Sequence, residues 1–190
     1  MKRYLLFDFF GVICSEISPI FFKRYFDEEE AMEIKEEIMS KGDLGLLSEE
    51  EIYSLNGNKM NMSKDEVRDE FQSLIKIYLD VVNFIKEKKD KYIIYLLSNA
   101  IDTFLRRILD GNNLYELFDD VFISSEISLI KPNLEFFNYV LKEKNIDPKD
   151  AIFIDDNIRN VEAARKCKID AIHFKDIKDL NMIDLRCDYA

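Results

Sequence analysis

Asp8, Ser98 with Asn99, Lys131, and the pair Asp155-Asp156 are the residues of this chain whose types and spacing could do chemistry together. Asp8 closes the apolar run Tyr4-Leu5-Leu6-Phe7, and Gly11 follows three positions later. Ser98-Asn99 closes a run ending Leu96-Leu97, and Asp155-Asp156 closes Ile152-Phe153-Ile154. Continuous apolar runs without alternation suit strands buried on both faces, as in a parallel sheet. Ligands of open α/β sheets bind outside the carboxyl ends of the strands. If the strands are neighbours, all of these groups meet at one edge. Three carboxylates packed together repel unless a cation is present. With a backbone carbonyl they make an all-oxygen site suited to Mg²⁺, which keeps waters and substrate phosphate in its shell. Lys131 and the Ser98 hydroxyl supply donors for phosphate oxygens. A carboxylate attacking phosphorus gives an aspartyl-phosphate, with the metal and Lys131 shielding the charge. Taken singly, Asp8 reads more readily as a strand-capping Asp before a turn. Four strand ends in this order are a far more specific signal.

The elements that must position these groups follow from periodicity. Strands are expected at Tyr4–Phe7, Tyr92–Leu97, Val121–Ile123, Ala151–Ile154 and Ile169–Phe174. Helices are expected around Phe84-Ile85-Lys86, over Ile101–Leu109 with Gly111 as the residue past its end, over Leu134–Lys144 and over Asn157–Lys168. Strands alternating with helices imply a parallel α/β sheet with right-handed crossovers. Between Cys14 and Tyr78 there is no strand pattern. Ile20, Phe21, Tyr25 and Phe26 are read as one aromatic-rich helix face, and Glu28–Met39 is rich in helix formers. A break is expected at Lys41-Gly42-Asp43-Leu44-Gly45. Ser48 with Glu51, and Ser63 with Glu66, have capping-box spacing, and Asn56-Gly57-Asn58 is read as the stop between those helices. Val67, Phe71, Leu74, Ile75 and Tyr78 then recur at helical intervals.

Composition narrows the function classes. The chain has 190 residues, 47% of them apolar, which is ordinary for a globular protein with a sizeable core. A net charge of -11 argues against nucleic acid and anionic membranes as partners. The apolar runs are far short of a membrane span, and Met1-Lys2-Arg3 with the short run behind it does not read as a secretory signal. Cys14, Cys167 and Cys187 are odd in number and lack metal-ligand spacing, so free thiols and a cytoplasmic setting are expected.

These motifs together resemble the haloacid dehalogenase-like (HAD) hydrolase superfamily, over essentially the whole chain. The first is Asp8-Phe9-Phe10-Gly11-Val12, the second Leu96-Leu97-Ser98-Asn99, the third Ile130-Lys131-Pro132, and the fourth Ile154-Asp155-Asp156-Asn157 with Asn160-Val161-Glu162-Ala163-Ala164 behind it. The resemblance implies a Rossmann-like core at 1–13 and 79–190, with an all-α cap inserted at 14–78. It implies Asp8 as nucleophile and Mg²⁺ ligand, the Phe10 carbonyl and Asp155 as further ligands, and Asp156 as a direct or water-mediated one. Ser98, the Asn99 amide and Lys131 would hold the phosphoryl group of a small phosphorylated metabolite.

One departure stands out. Phosphatases of this family usually carry a second Asp where this chain has Phe10. That Asp protonates the leaving group and then activates water, and losing such a group costs about 10²–10⁴-fold. A Mg²⁺-dependent phosphatase is the leading expectation. A HAD-fold binding protein with impaired catalysis comes second. A 2-haloacid dehalogenase comes third, because dehalogenases need no metal and Asp155-Asp156 would repel their substrate. Glu16 and Asp43 lie in or near the entry to the helical block and could supply a carboxylate, though neither is singled out. Asn160 is read as orienting the carboxylates or capping a helix, His173 as structural and away from the motif loops. Arg106, Arg107 and Arg159 are read as exposed helix charges. Phe21, Phe22 and Tyr25 suit either a partly apolar ester or the core of the helical block.

Overall fold

The computed structural model describes residues 3–183. Cys187 lies outside that range. Five strands, β1 (Tyr4–Phe7), β2 (Ile93–Ser98), β3 (Asp120–Ile123), β4 (Ala151–Asp155) and β5 (Asp170–His173), form one sheet in the order β3-β2-β1-β4-β5. Every pairing is parallel. The fold is an α/β, Rossmann-like sheet flanked by helices. Phe7 lies level with Leu96 on one side and Ile154 on the other, so Asp8 and Asp155 leave the sheet side by side and Ser98 one residue above them.

Alternation along buried strands feeds two apolar layers. Leu5, Phe7, Ile94, Leu96, Ile152 and Ile154 face α6 (Leu79–Lys88) and α7 (Asp102–Gly111). Leu6, Tyr95, Leu97, Ala151 and Phe153 face α9 (Leu134–Glu143) and α10 (Ile158–Lys166), with a single turn, α8 (Ser124–Ile127), following β3. Helix ends depart slightly from the sequence expectation. Gly111 is the last residue of α7, and the left-handed position falls on Asn113, which also tolerates it.

The segment between β1 and β2 holds α1 (Ser18–Phe22), α2 (Glu28–Ile34), α3 (Ser40–Asp43), α4 (Glu49–Met60) and α5 (Lys64–Ser73). Both expected capping boxes form, and a third at Asp27 and Glu30 starts α2. Two expected breaks move. From α2 the chain continues through a wide π turn (Lys35–Met39) into α3, so Lys41 and Gly42 are helical and the chain turns only at Gly45, with φ of 74°. Asn56-Gly57-Asn58 does not stop α4, which runs to Met60 and turns at Asn61. A Cβ on Gly57 would lie 2.5 Å from the Met62 carbonyl, so that glycine serves the returning chain. The buried aromatic cluster is Phe21, Phe22, Tyr53 and Phe71, whereas Ile20 and Tyr25 are each 41% exposed. The expected face at Ile20 and Tyr25 is therefore turned outward.

The two chain crossings into this segment pair with each other. Cys14 bridges Ile77 antiparallel, Ser15 N–H donates to the Lys76 carbonyl, and Tyr78 N–H donates to that of Ile13. Ser15 Oγ donates to the Leu74 carbonyl at 2.6 Å and accepts from the Lys76 amide at 3.0 Å. This pairing takes Leu74 to Tyr78 out of α5, where the periodicity had placed them.

Candidate active site

Asp8 is held at the edge by its own backbone. Its N–H donates to the Ile154 carbonyl at 2.9 Å, extending β1 beside β4. The chain then turns back on the Phe9 carbonyl, which accepts from Val12, Ile13 and Cys14. The Phe10 carbonyl takes none of these turn bonds. Gly11 has φ of 81°, and a Cβ there would lie 2.3 Å from the Asp156 carboxylate. Both conformation and space demand glycine.

Lys131 Nζ lies 2.8 Å from Asp8 Oδ1 and 2.8 Å from Asp155 Oδ2. Asp155 is fully buried. Its oxygens also accept from Asn160 Nδ2 at 3.0 and 3.1 Å and from the Asn157 amide at 2.8 Å. Asn160 thus orients a carboxylate. Asn99 pins the Lys131 loop with its side chain, Nδ2 donating to the Lys131 carbonyl at 2.8 Å and Oδ1 accepting from its amide at 2.9 Å. Asp8, Asp155 and Asp156 each bring one oxygen within 4.8 Å of the others. Ser98 Oγ is buried with no partner. A buried hydroxyl without a partner at the carboxyl end of a strand carries a desolvation cost that a hydrogen bond to a ligand would offset.

Electrostatics follow from one ammonium among three carboxylates. Burial first, then Asp155, pushes Asp8 well above the usual carboxylate range, against the pull of Lys131. The same two causes raise Asp156. Burial works against the Lys131 charge, but Asp155 and Asp8 outweigh it and its pKa rises. His173, read from sequence as remote, is not. Its Nε2 lies 2.8 Å from the Asp156 carbonyl, so it braces the fourth motif through backbone.

Over this edge lies a chamber whose far wall is the helical segment. Its apolar lining includes Phe10 and Phe104, stacked at 6.2 Å, with Ile17, Ile52, Tyr53 and Phe71 opposite. Phe21, Phe22 and Tyr25 do not line it. Beyond Asp8 and Asp156, its charged lining is Glu16, Lys35, Asp43 and Glu49. Glu49 accepts from Arg107, Thr103 and the Tyr53 hydroxyl, tying α4 to α7. Burial pushes Glu16 up to about 7, aided by Asp156, and Asp43 up to about 7. Sequence reasoning named these two as residues that could supply a carboxylate without choosing either, and missed Lys35, Glu49 and Tyr53. Helix periodicity gives no sign of which face of an inserted segment will roof a distant sheet edge.

Residues 5–174 match the model of the haloacid dehalogenase-like hydrolases. The chain belongs to that family. It is 23% identical over 147 residues to a sesquiterpene phosphatase of Aspergillus oryzae, covering 75% of each chain. It is 27% identical over 145 residues to a drimenol cyclase of Aspergillus calidoustus, covering 73% of this chain and 28% of the cyclase. It thus spans well under half the length of that relative. A HAD family enzyme of Bacteroides thetaiotaomicron, solved in complex with magnesium and inorganic phosphate, superposes with a TM-score of 0.78 at 24% identity, over 95% of this chain and 99% of that one. The hydrolase fold expected from the four motifs is the fold observed.

Proposed function

We propose that this hydrolase is a Mg²⁺-dependent phosphatase acting on a small phosphorylated metabolite through an aspartyl-phosphate at Asp8. The observation that carries the reading is the trio Asp8, Asp155 and Asp156, closed to within 4.8 Å of one another against a single lysine. An all-oxygen donor set short of positive charge fits Mg²⁺, and the orphaned Ser98 hydroxyl beside it fits a phosphoryl oxygen. Asp8, the Phe10 carbonyl, Asp155 and Asp156 would hold the ion. Bound there, Mg²⁺ neutralises carboxylate charge and polarises the phosphoryl group.

The chain's own residues do the rest. Ser98 Oγ, the Asn99 amide and Lys131 hold the phosphoryl oxygens. The Asp8 carboxylate attacks phosphorus in line, and water later releases phosphate from Asp8. Lys131 stays charged throughout, because Asp8 and Asp155 both favour its ammonium form. Residues 14–78 act as a cap that closes the chamber and chooses the substrate. An ester with a partly apolar body suits the aromatic lining, and the sesquiterpene phosphatase relative supports that choice. A net charge of -11 stands against nucleic acid as substrate, and no described helix is long and apolar enough to cross a membrane.

Hydrolysis of an aryl phosphate and an alkyl phosphate, each with and without Mg²⁺, tests the reading. Mg²⁺-dependent release of phosphate, abolished in Asp8→Asn at unchanged fold, is expected. Turnover that persists in Asp8→Asn, or that ignores Mg²⁺, overturns it.

A further inference from the structure

Phe10 leaves the reaction without its acid. Its ring stacks on Phe104 and meets Phe9 edge-on, so an apolar ring lines the chamber where a carboxylate would be expected. The leaving oxygen departs away from Asp8, into the chamber, and the chamber's charged lining must then supply the proton. With Asp8 and Asp156 taken up as nucleophile and metal ligand, four charged groups remain there: Glu16, Lys35, Asp43 and Glu49.

Three of them are poorly suited. Glu49 accepts hydrogen bonds from Arg107, Thr103 and Tyr53, and its Arg107 partner helps hold it below its usual range, so it stays an anion. Lys35 is an exposed ammonium at the chamber rim. Glu16 feels Asp156 and Asp155 directly, which places it on the cation side of the site. Asp43 lines the same chamber without Asp155 or Asp156 among its charged neighbours, which are Lys35, Lys131 and Glu16; like Glu16, it has no hydrogen bond to its carboxylate among the described residues.

Its seat is also built. The flanking glycines bring the end of α3 hard against the core. A Cβ on Gly42 would meet the Ile52 and Ile101 side chains at 3.0–3.1 Å, and a Cβ on Gly45 would lie 2.4 Å from the Ser125 carbonyl. Between these two contacts Asp43 faces the chamber. Ile101 follows the second motif by two residues, so the contact that positions Asp43 also fixes it relative to Ser98.

Building on the phosphatase reading, we propose that Asp43 is the catalytic acid and base of this enzyme, replacing the carboxylate that Phe10 displaces. In the first step an Asp8 oxygen forms a bond to phosphorus and the ester P–O bond breaks. Its electron pair goes to the leaving oxygen, which takes the Asp43 proton and departs as an alcohol. In the second step water adds to phosphorus and gives its proton to the Asp43 carboxylate. The P–O bond to Asp8 breaks and phosphate leaves, with both carboxyl groups restored. Burial supports the role, since Asp43 held near neutrality is protonated often enough to donate and basic enough to accept.

The test compares kcat/KM for aryl and alkyl phosphates in wild type and Asp43→Asn, with Mg²⁺. That quantity reports steps up to phosphoryl transfer, and an aryl leaving group scarcely needs a proton. Asp43→Asn should lower alkyl kcat/KM by about 10²-fold or more and the aryl value by under about tenfold. Adding Phe10→Asp to Asp43→Asn should recover alkyl turnover, which a purely structural loss would not. An equal loss on both esters, no loss on either, or a leaving-group-selective loss in Glu16→Gln instead overturns the assignment while leaving the phosphatase standing. Wild type that hydrolyses neither ester overturns both.

Discussion

The sheet edge and the roof above it handle buried charge in opposite ways. At the edge Asp155 has four hydrogen-bonding or ionic contacts with Lys131, Asn157 and Asn160, and no exposure. At the roof only Glu49 is tied in this way, to Arg107, Thr103 and Tyr53, while Glu16 and Asp43 have no hydrogen bond to their carboxylates among the described residues. The roof's ion pairs are mostly outside, such as Arg68 with Glu50 and Lys59 with Glu37, and exposed pairs of this kind contribute about 0–1 kcal/mol. A preorganised edge suits a phosphoryl group that every substrate shares. A roof with few fixed polar partners suits the part of the substrate that varies.

Substitution at Gly11 should break the edge most severely. Gly11→Ala forces a left-handed alanine, costing roughly 1–2 kcal/mol. It also drives Asp156 away, since the new Cβ would sit 2.3 Å from its carboxylate. Displacing a metal-holding group's support typically costs about 10–100-fold in metal affinity. Calorimetric titration with Mg²⁺ checks this. Unchanged Mg²⁺ affinity would show that Asp156 does not share the ion.

A smaller effect should sharpen the contrast at the roof. Asp43 is pushed from 3.8 to about 7 in the folded chain. Between those values the folded state holds more protons than the unfolded one, so this group's contribution to stability falls as pH rises from about 4 to about 7. Asp43→Asn removes that penalty. The variant should exceed wild type by about 1–2 kcal/mol near pH 8, allowing for partial exposure, and match it near pH 4. Burial sets the sign; Lys35 and Lys131, which face the same group, hold the shift down, and Glu16 adds to it. Urea melts at the two pH values read it. A variant less stable at high pH would mean that Asp43 is paired there.

The smallest effect belongs to the tie between roof and core. Arg107 is half exposed where it meets Glu49, so Arg107→Ala should cost only about 0.2–1 kcal/mol. Its mark should be a modest rise in KM for the alkyl ester. A collapse of kcat would mean that the α4–α7 contact does more than hold the chamber shut.

The edge was legible in the sequence because parallel strands turn a one-dimensional rule into geometry. An apolar run ending in a polar residue puts that residue at the carboxyl end, and level register does the rest. Asp8, Ser98, Lys131 and Asp155 converge as their spacing implied. Asn99 was legible only in part, since its side chain is spent on the Lys131 loop. The helical segment was legible as helices but not as a surface. Capping boxes at Ser48 and Ser63 marked starts correctly, because they are local. The stop at Asn56-Gly57-Asn58 failed, because the space beside Gly57 is set by Met62 after the chain has turned. The lining residues Lys35, Tyr53 and Phe71 follow from how that segment lies on the core, and no local pattern encodes that. His173 was misjudged for a related reason. Register places β5 beside β4, and only the fold shows that its ring reaches the Asp156 carbonyl.

The claim that Asp8 carries the phosphoryl group can be met directly. Wild type mixed with an aryl phosphate and Mg²⁺, quenched in acid within a turnover and digested, should yield a phosphorylated peptide containing Asp8. The adduct should be sensitive to hydroxylamine and absent from Asp8→Asn. Label on another residue, or hydrolysis by Asp8→Asn at the wild-type rate, would contradict the account.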